Sequence, residues 1–189
     1  HLMRESTEAC KTLAPSLLLS MPQLNDPNFK RTVILLCEHG AGGAFGLILN
    51  RQTETCVTVA MQHGSLVLGD DGLQLWSGGP VAPESGWILT GEEPRNFSSV
   101  KVYEGVYLST SPQLLRKLLA GPILPRTRVL AGYTGWGSGQ LDAELEASSW
   151  LTTDVHLDII FNTRSTEMWE KAIRRLGSEP SMLQMGAGV

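Results

Sequence analysis

Short apolar segments alternate with glycine- and proline-containing turns along the first half of the chain, a pattern typical of a sheet built from hairpins. Residues 32–37 are apolar or β-branched, a glycine-rich stretch occupies 40–43, and residues 44–50 are apolar again. Two such runs joined by so short a turn predict a β-hairpin with both strands largely buried. Further strands are predicted where brief apolar runs are bounded by turn residues: 17–20, 73–76, 86–90, 105–109, 126–131 and 150–153.

Helical signals lie mainly in the second half. Ser111 and Pro112 are a preferred pair at a helix start, because serine caps a free N–H and proline lacks the N–H that would go unsatisfied there. Leucines then recur at helical spacing up to Gly121, which predicts a helix between these signals. Residues 157–161 are too short a pattern to classify. Three further helices are predicted: an acidic helix that begins near 140, one at 166–176, and one at 53–62 from apolar residues at i, i+1, i+4 and i+5.

The stretch 132–151 contains four glycines, two tryptophans and the start of the acidic helix. It predicts a strand, a tight loop and a helix, and such a loop can either bind an anion through backbone N–H groups or simply solve a packing problem. No lysine or basic cluster accompanies it, which favours packing. Trp136 must bury its ring against this domain, a ligand or a second subunit, and Gln140 is the polar side chain best placed to contribute to a site.

Hairpins in the first half and interspersed helices in the second favour an α+β protein whose mainly antiparallel sheet curls toward a partial barrel with flanking helices. At 189 residues, of which 42% are hydrophobic, the chain fits a single compact domain, which we place at 13–178. Residues 1–12 are expected to be a tag remnant and a loose tail, and residues 179–189 a flexible tail.

Charge and cysteine content narrow the class of protein. The net charge of −4 and the scattered basic residues favour neither a nucleic acid nor an anionic membrane as a partner. No apolar run approaches the roughly 20 residues that a membrane-spanning helix needs. The three cysteines, Cys10, Cys37 and Cys56, cannot all pair and show no metal-binding spacing. A reducing cytoplasmic setting is therefore expected.

Several motifs in a fixed order are similar to those of the AlgH/YqgE family of bacterial proteins, and this resemblance covers the chain after residue 12. The motifs lie at 21–31, 37–39, 46–51, 78–81 and 132–151. The resemblance implies a compact α+β fold with a bulged antiparallel sheet. One branch of the family carries a label as a transcriptional regulator of alginate synthesis, and no reaction comes with the family.

Cys37, Glu38 and His39 contain the residue types of a thiol nucleophile, a carboxylate and a base. In an extended strand Cys37 and His39 share a face but stand about 6.6 Å apart along the chain, and Glu38 points the opposite way, so only a bulge or bend would bring them together. If the hairpin turn is 40–43, Cys37 faces Gly46 and leaves a space for another segment or a small ligand. The alternative is a buried, unreactive Cys37 and a hydrogen-bonded His39.

Asn50 and Arg51 end the second strand of the hairpin, away from His39. Arg51 is able to hold a carboxylate or phosphate, or to form a structural ion pair with Asp26 or Glu144, and the structural pair is favoured. Asp26 itself is expected to cap its own turn.

Asp142 and Glu146 lie one turn apart on the acidic helix, where the positive end of the helix already favours negative charge. Two carboxylates do not supply the three or more ligands of a divalent cation. No metal or cofactor is predicted.

These features predict a non-catalytic cytoplasmic protein of regulatory type that binds an unknown small ligand or protein partner. The alternative is a thiol enzyme or redox sensor that uses Cys37 with His39. Candidate binding residues are Glu38, His39, Asn50, Arg51, Tyr133, Trp136 and Gln140.

Overall fold

The computed structural model describes residues 12–22, 26–60, 65–69, 73–122 and 124–177. The segments predicted to be terminal tails, 1–12 and 179–189, lie outside the described residues except for Thr12, and so does Cys10.

The described residues form eleven strands and four helices. The strands are β1 (Ser16–Ser20), β2 (Val33–Gly40), β3 (Gly43–Ile48), β4 (Gln52–Ala60), β5 (Ser65–Gly69), β6 (Leu73–Ser77), β7 (Val81–Thr90), β8 (Val100–Tyr103), β9 (Val106–Ser109), β10 (Thr127–Trp136) and β11 (Trp150–Thr153). The helices are α1 (Pro112–Ala120), α2 (Gln140–Glu146), α3 (Leu157–Phe161) and α4 (Ser165–Gly177). The predicted helices at 111–121 and 166–176 are confirmed.

The strands form one curled, mainly antiparallel sheet in the order β11-β1-β2-β3-β10-β6-β4-β5, with β7, β8 and β9 attached through β10. Strand β10 organises the sheet, because its first half lies between β6 and β7 while its last three residues pair with β3. The β10–β6 pair is parallel. The prediction of an α+β fold with a sheet curled toward a partial barrel is confirmed.

Three apolar clusters hold the helices on the sheet. Helices α3 and α4 cover the leucines of β1, β2 and β3, helix α1 packs on β6, β7 and β10, and helix α2 covers the opposite face of β2 and β3 together with Trp136 and Trp150. This last cluster includes Trp136 and packs against Ala44, close to the β2–β3 turn. Within the described residues, none of the helices combines the length and the apolar character needed to cross a bilayer.

The prediction of a helix at 53–62 is wrong, because residues 52–60 form strand β4. Threonine and valine dominate this segment, and β-branched side chains pack well on a pleated surface but lose rotamer freedom in a helix. The hydroxyl of Thr53 donates to the carbonyl of Leu75 at 2.6 Å, and the Gln74 amide donates to the carbonyls of Thr53 and Thr55. The apolar residues that suggested a helix were too few to outweigh these strand contacts.

The β2–β3 hairpin is confirmed, but its register differs from the one expected. Leu36 pairs with Gly46 and Glu38 with Phe45, so Cys37 is an extra residue in a β-bulge and does not face Gly46. A Cβ on Gly46 would lie 2.7 Å from Cγ2 of Ile34. The space predicted beside Gly46 is therefore already filled by Ile34, and no ligand is needed there.

Candidate functional site

His39 lies at the tip of the hairpin and has a partner on each ring nitrogen. Its side chain is only 2% exposed; Nδ1 accepts the backbone N–H of Leu13 at 3.0 Å, and Nε2 lies 3.0 Å from Oδ1 of Asp142. Because Nδ1 is an acceptor, this network assigns the ring proton to Nε2, which donates it to the carboxylate. His39 thus joins the hairpin to α2, and neither nitrogen is left to act as a base.

Glu144 on α2 binds both tryptophans of the glycine-rich stretch. Its Oε1 accepts the indole N–H of Trp136 at 3.0 Å and that of Trp150 at 2.8 Å, and its Oε2 accepts the amide of Gln140 at 3.1 Å. The two indoles meet edge to face, with ring centroids 6.3 Å apart. Trp136 therefore buries its ring within this domain, which answers the question that the sequence left open.

The glycine-rich loop before α2 supplies its own acceptor. Oε1 of Gln140 accepts the backbone N–H of Gly137 at 2.9 Å, so this N–H of the loop is satisfied within the protein and is not free for an anion. The hydroxyl of Ser138 donates to the carbonyl of Ala41 at 2.6 Å and ties the loop to the hairpin turn. The loop is therefore held by contacts within the protein, and the side chain of Gln140 makes one of them.

Cys37 lies against the core beneath α3 and α4, and its thiol donates to the carbonyl of Leu35 at 3.6 Å. Burial, and secondarily the charge of Glu38, raise the pKa of the Cys37 thiol to about 12. The thiol stays protonated at neutral pH, whereas a nucleophilic cysteine needs its thiolate. Since the His39 ring is engaged by Leu13 and Asp142, the geometry gives no support to a thiol enzyme.

An open depression of about 410 Å³ lies beside the hairpin turn, and we call it the hairpin-tip depression. It is lined by Glu38, His39, Gly40, Gly42, Gly43, Ala44, Phe45 and Trp136. Gly43 has a φ of +134°, and a Cβ there would lie 2.3 Å from the carbonyl oxygen of Trp136, so the backbones approach closely. Glu38 is exposed, and its carboxylate has no hydrogen bond or ion pair with any described residue.

Tyr133 does not join this depression. It packs with Phe45 and Trp87, at ring-centroid distances of 5.2 and 6.1 Å, against the core beneath α3 and α4. Trp136 belongs to the core beneath α2. Residues three apart on β10 thus serve different faces of the sheet.

Asn50 and Arg51 lie at the other end of the hairpin. Asn50 accepts the N–H of Val33 at 3.1 Å and donates to the carbonyl of Arg31 at 3.0 Å, so it holds the start of β2 in place. Nη2 of Arg51 donates to the carbonyl of Lys30 at 2.6 Å and to Oγ1 of Thr32 at 2.8 Å.

The predicted ion pair of Arg51 with Asp26 or Glu144 is wrong. Asp26 caps its own turn, as expected, by accepting the N–H of Asn28 at 2.9 Å, and Glu144 is occupied by the two indoles. Arg51 lines a separate cleft of about 180 Å³. Of the candidate residues, Glu38, His39 and Trp136 line the hairpin-tip depression and Arg51 lines a separate cleft, while the other candidates make contacts elsewhere, so they do not form one cavity.

A third cleft, of about 240 Å³, contains none of the residues nominated from the sequence. It lies between the loop 91–97, helix α1 and the loop before β10. Its floor is apolar, with Phe97, Leu114 and Leu118. In the sequence, only the turn-forming residues at 91–96 indicated a loop at this position, and Asn96 there adopts a φ of +71°.

The sheet and the site together define an α+β protein with a curled half-barrel sheet, in which polar side chains near the hairpin tip hold two distant segments of chain together. A family model described as AlgH-like matches residues 17–181. The protein therefore belongs to the AlgH-like family.

Relatives and solved structures agree with this assignment. A UPF0301 protein of Myxococcus xanthus is 38% identical over 181 residues, which span 95% of this chain and 99% of the relative. The solution structure of the AlgH protein from Pseudomonas aeruginosa matches with a TM-score of 0.70 and 30% identity, over 93% of this chain and 94% of that one. The crystal structure of protein DIP2367 from Corynebacterium diphtheriae shows the same fold, with a TM-score of 0.64 and 20% identity over 90% of each chain.

Proposed function

We propose that this protein is a non-catalytic binding protein of regulatory type, and that the hairpin-tip depression binds a positively charged side chain of a protein partner. The observation that carries the proposal is the carboxylate of Glu38, which is exposed at the depression and is unpaired among the described residues. Asp142, which is 47% exposed, adds a second negative charge on the far side of the His39 ring.

Hydrogen bonds and a close backbone contact hold the surroundings of Glu38 in place. His39 is held from both sides, the turn is tied to Ser138, and Gly43 lies against the backbone of Trp136. A preorganised surface loses little conformational entropy on binding. A thiol-based reaction would instead require a thiolate and a free histidine base, and neither Cys37 nor His39 supplies one.

A protein partner fits the depression better than a small molecule does. Small-molecule sites are concave, mostly apolar, and enclose most of the ligand. The hairpin-tip depression is open, and three of its eight lining residues are glycines. A long basic side chain is able to reach Glu38 across such a surface while the partner's backbone lies over the turn.

Direct binding to nucleic acid is not part of this proposal. Arg31 pairs with Glu170, Lys101 with Glu104, and Arg175 and Lys171 with Asp158. These pairs neutralise basic groups that would otherwise contact phosphates. We place the protein in the cytoplasm, which is consistent with the free thiols of Cys37 and Cys56.

The proposal is tested by recording ¹⁵N–¹H spectra while titrating N-acetyl-arginine amide, with N-acetyl-glutamine amide as the uncharged control. The arginine probe should shift the amides of Gly42, Gly43 and Ala44 and the indole N–H of Trp136, and the shifts should weaken as salt is added. Equal shifts with the glutamine probe, or arginine-specific shifts elsewhere only, would contradict the proposal.

A further inference from the structure

Arg51 uses only part of its guanidinium within the protein. Its Nη2 donates to Lys30 and Thr32, with a longer contact of 3.5 Å to the carbonyl of Asn28. Nη1 and Nε make no hydrogen bond with any described residue. Among the described residues, three of the five N–H donors of this arginine are therefore unused.

These donors belong to a residue that lines a small cleft with both polar and apolar walls. The polar lining also includes Ser77 and Asn28, whose side-chain groups make no hydrogen bond with the described part of the chain. Pro27, Ile48 and Pro80 supply the apolar lining. All three polar side chains are able to donate, and the described residues that line the cleft include no acidic one.

The charge of Arg51 has no counter-charge within the described residues. Burial lowers the pKa of the half-buried Arg51 guanidinium. The charge is compensated so far only by neutral oxygens, from Lys30, Thr32 and Asn28. An opposite charge close by stabilises a partly buried cation. An anion in the cleft would provide one.

We propose that this cleft is a second binding site, independent of the hairpin-tip depression, and that it takes the carboxylate of a small organic acid with a short aliphatic stem. The carboxylate accepts hydrogen bonds from Arg51 and Ser77, and the stem lies against Ile48 and the two prolines. At about 180 Å³ the cleft is smaller than the roughly 300–1,000 Å³ of sites for larger ligands. The apolar lining favours an organic acid over inorganic phosphate.

The test is an NMR titration of the intact protein with acetate, propionate, butyrate, butyramide and inorganic phosphate. Butyrate should produce saturable shifts at Ser77, Gly79 and Arg51, with affinity rising about fourfold for each added CH₂ of the acid series. Butyramide has the same stem without the charge and should bind at least tenfold more weakly. Phosphate should also bind more weakly than butyrate.

Two variants assign the site to its donors. Arg51→Lys keeps the positive charge but removes the extra nitrogens, and should weaken butyrate binding about tenfold; Arg95→Lys, at an exposed arginine in the loop 91–97, is the matched control and should change nothing. Ser77→Ala leaves the contacts of Arg51 to Lys30 and Thr32 intact and should weaken binding severalfold, so the test stands even if the Arg51 variant does not fold.

The proposal is overturned if butyramide or phosphate matches butyrate, or if Ser77→Ala binds butyrate like the parent protein. Because the reporting amides are at 77–79 rather than 42–44, failure here is distinguishable from failure at the hairpin-tip depression.

Discussion

Replacing Glu144 by alanine removes the acceptor that Trp136 and Trp150 share, and both indole N–H groups belong to tryptophans that are at most 7% exposed. An unsatisfied buried donor costs about 1–3 kcal/mol. Two such donors, offset by partial access of water to the half-buried position of Glu144, give an expected loss of about 2–4 kcal/mol in the free energy of unfolding. The assay is urea denaturation followed by tryptophan fluorescence. Glu144→Gln keeps a neutral acceptor and should lose about half as much.

The matched control is Glu146→Ala, two residues further along α2, where the side chain is exposed and no hydrogen bond or ion pair with another described residue is made. This change should alter the free energy of unfolding by no more than about 0.5 kcal/mol. If Glu144→Ala lowers the free energy of unfolding as little as Glu146→Ala does, Glu144 does not hold the two tryptophans in place.

Three further predictions follow from single contacts. Gly43→Ala should destabilise the protein by about 1–3 kcal/mol, because the residue has a positive φ and its new Cβ would lie 2.3 Å from the carbonyl oxygen of Trp136. Gly42→Ala is the control: its Cβ would have no atom within 4 Å, so the change should be nearly neutral in the same urea assay. In a variant lacking Cys10 and Cys56, Cys37 of the folded protein should react with iodoacetamide at pH 7 roughly 100-fold more slowly than a cysteine peptide, because burial raises the pKa of the Cys37 thiol to about 12. An equal rate would show that the thiolate is accessible. Hydrogen bonds from Arg175 hold the pKa of Asp158 below its usual range. The ionised carboxylate therefore stabilises the fold above the unfolded pKa of about 3.9, and this contribution is lost as pH falls further. Asp158→Asn should lower the free energy of unfolding by about 1 kcal/mol or less at pH 7, and the difference from the parent protein should shrink below pH 4.

Much of the fold could be predicted from local signals in the sequence. The hairpin follows from two apolar runs around glycines, and α1 from Ser111, whose hydroxyl accepts the N–H of Leu114 at 3.2 Å. Strand β4 was mispredicted because a few of its apolar residues also fit a short helical pattern; its β-branched residues favour a strand, and pairing with β5 and β6 adds to that preference.

The site was less accessible to sequence reasoning, because its contacts join distant parts of the chain. His39 meets Asp142 across 103 positions, and the acidic helix gave no sign of which carboxylate would face which partner. The bulge at Cys37 shifts the pairing of the hairpin by one residue, which no local pattern indicated. Arg51 donates to backbone carbonyls, and a sequence does not indicate such partners because every residue has a carbonyl group.

The central claim is that Glu38 makes the hairpin-tip depression a binding surface for a basic group. The most direct measurement is the dissociation constant for N-acetyl-arginine amide in Glu38→Gln, compared with Glu84→Gln at an exposed glutamate on β7. Binding should weaken at least threefold in Glu38→Gln and stay unchanged in Glu84→Gln. Equal dissociation constants in the two variants would contradict it.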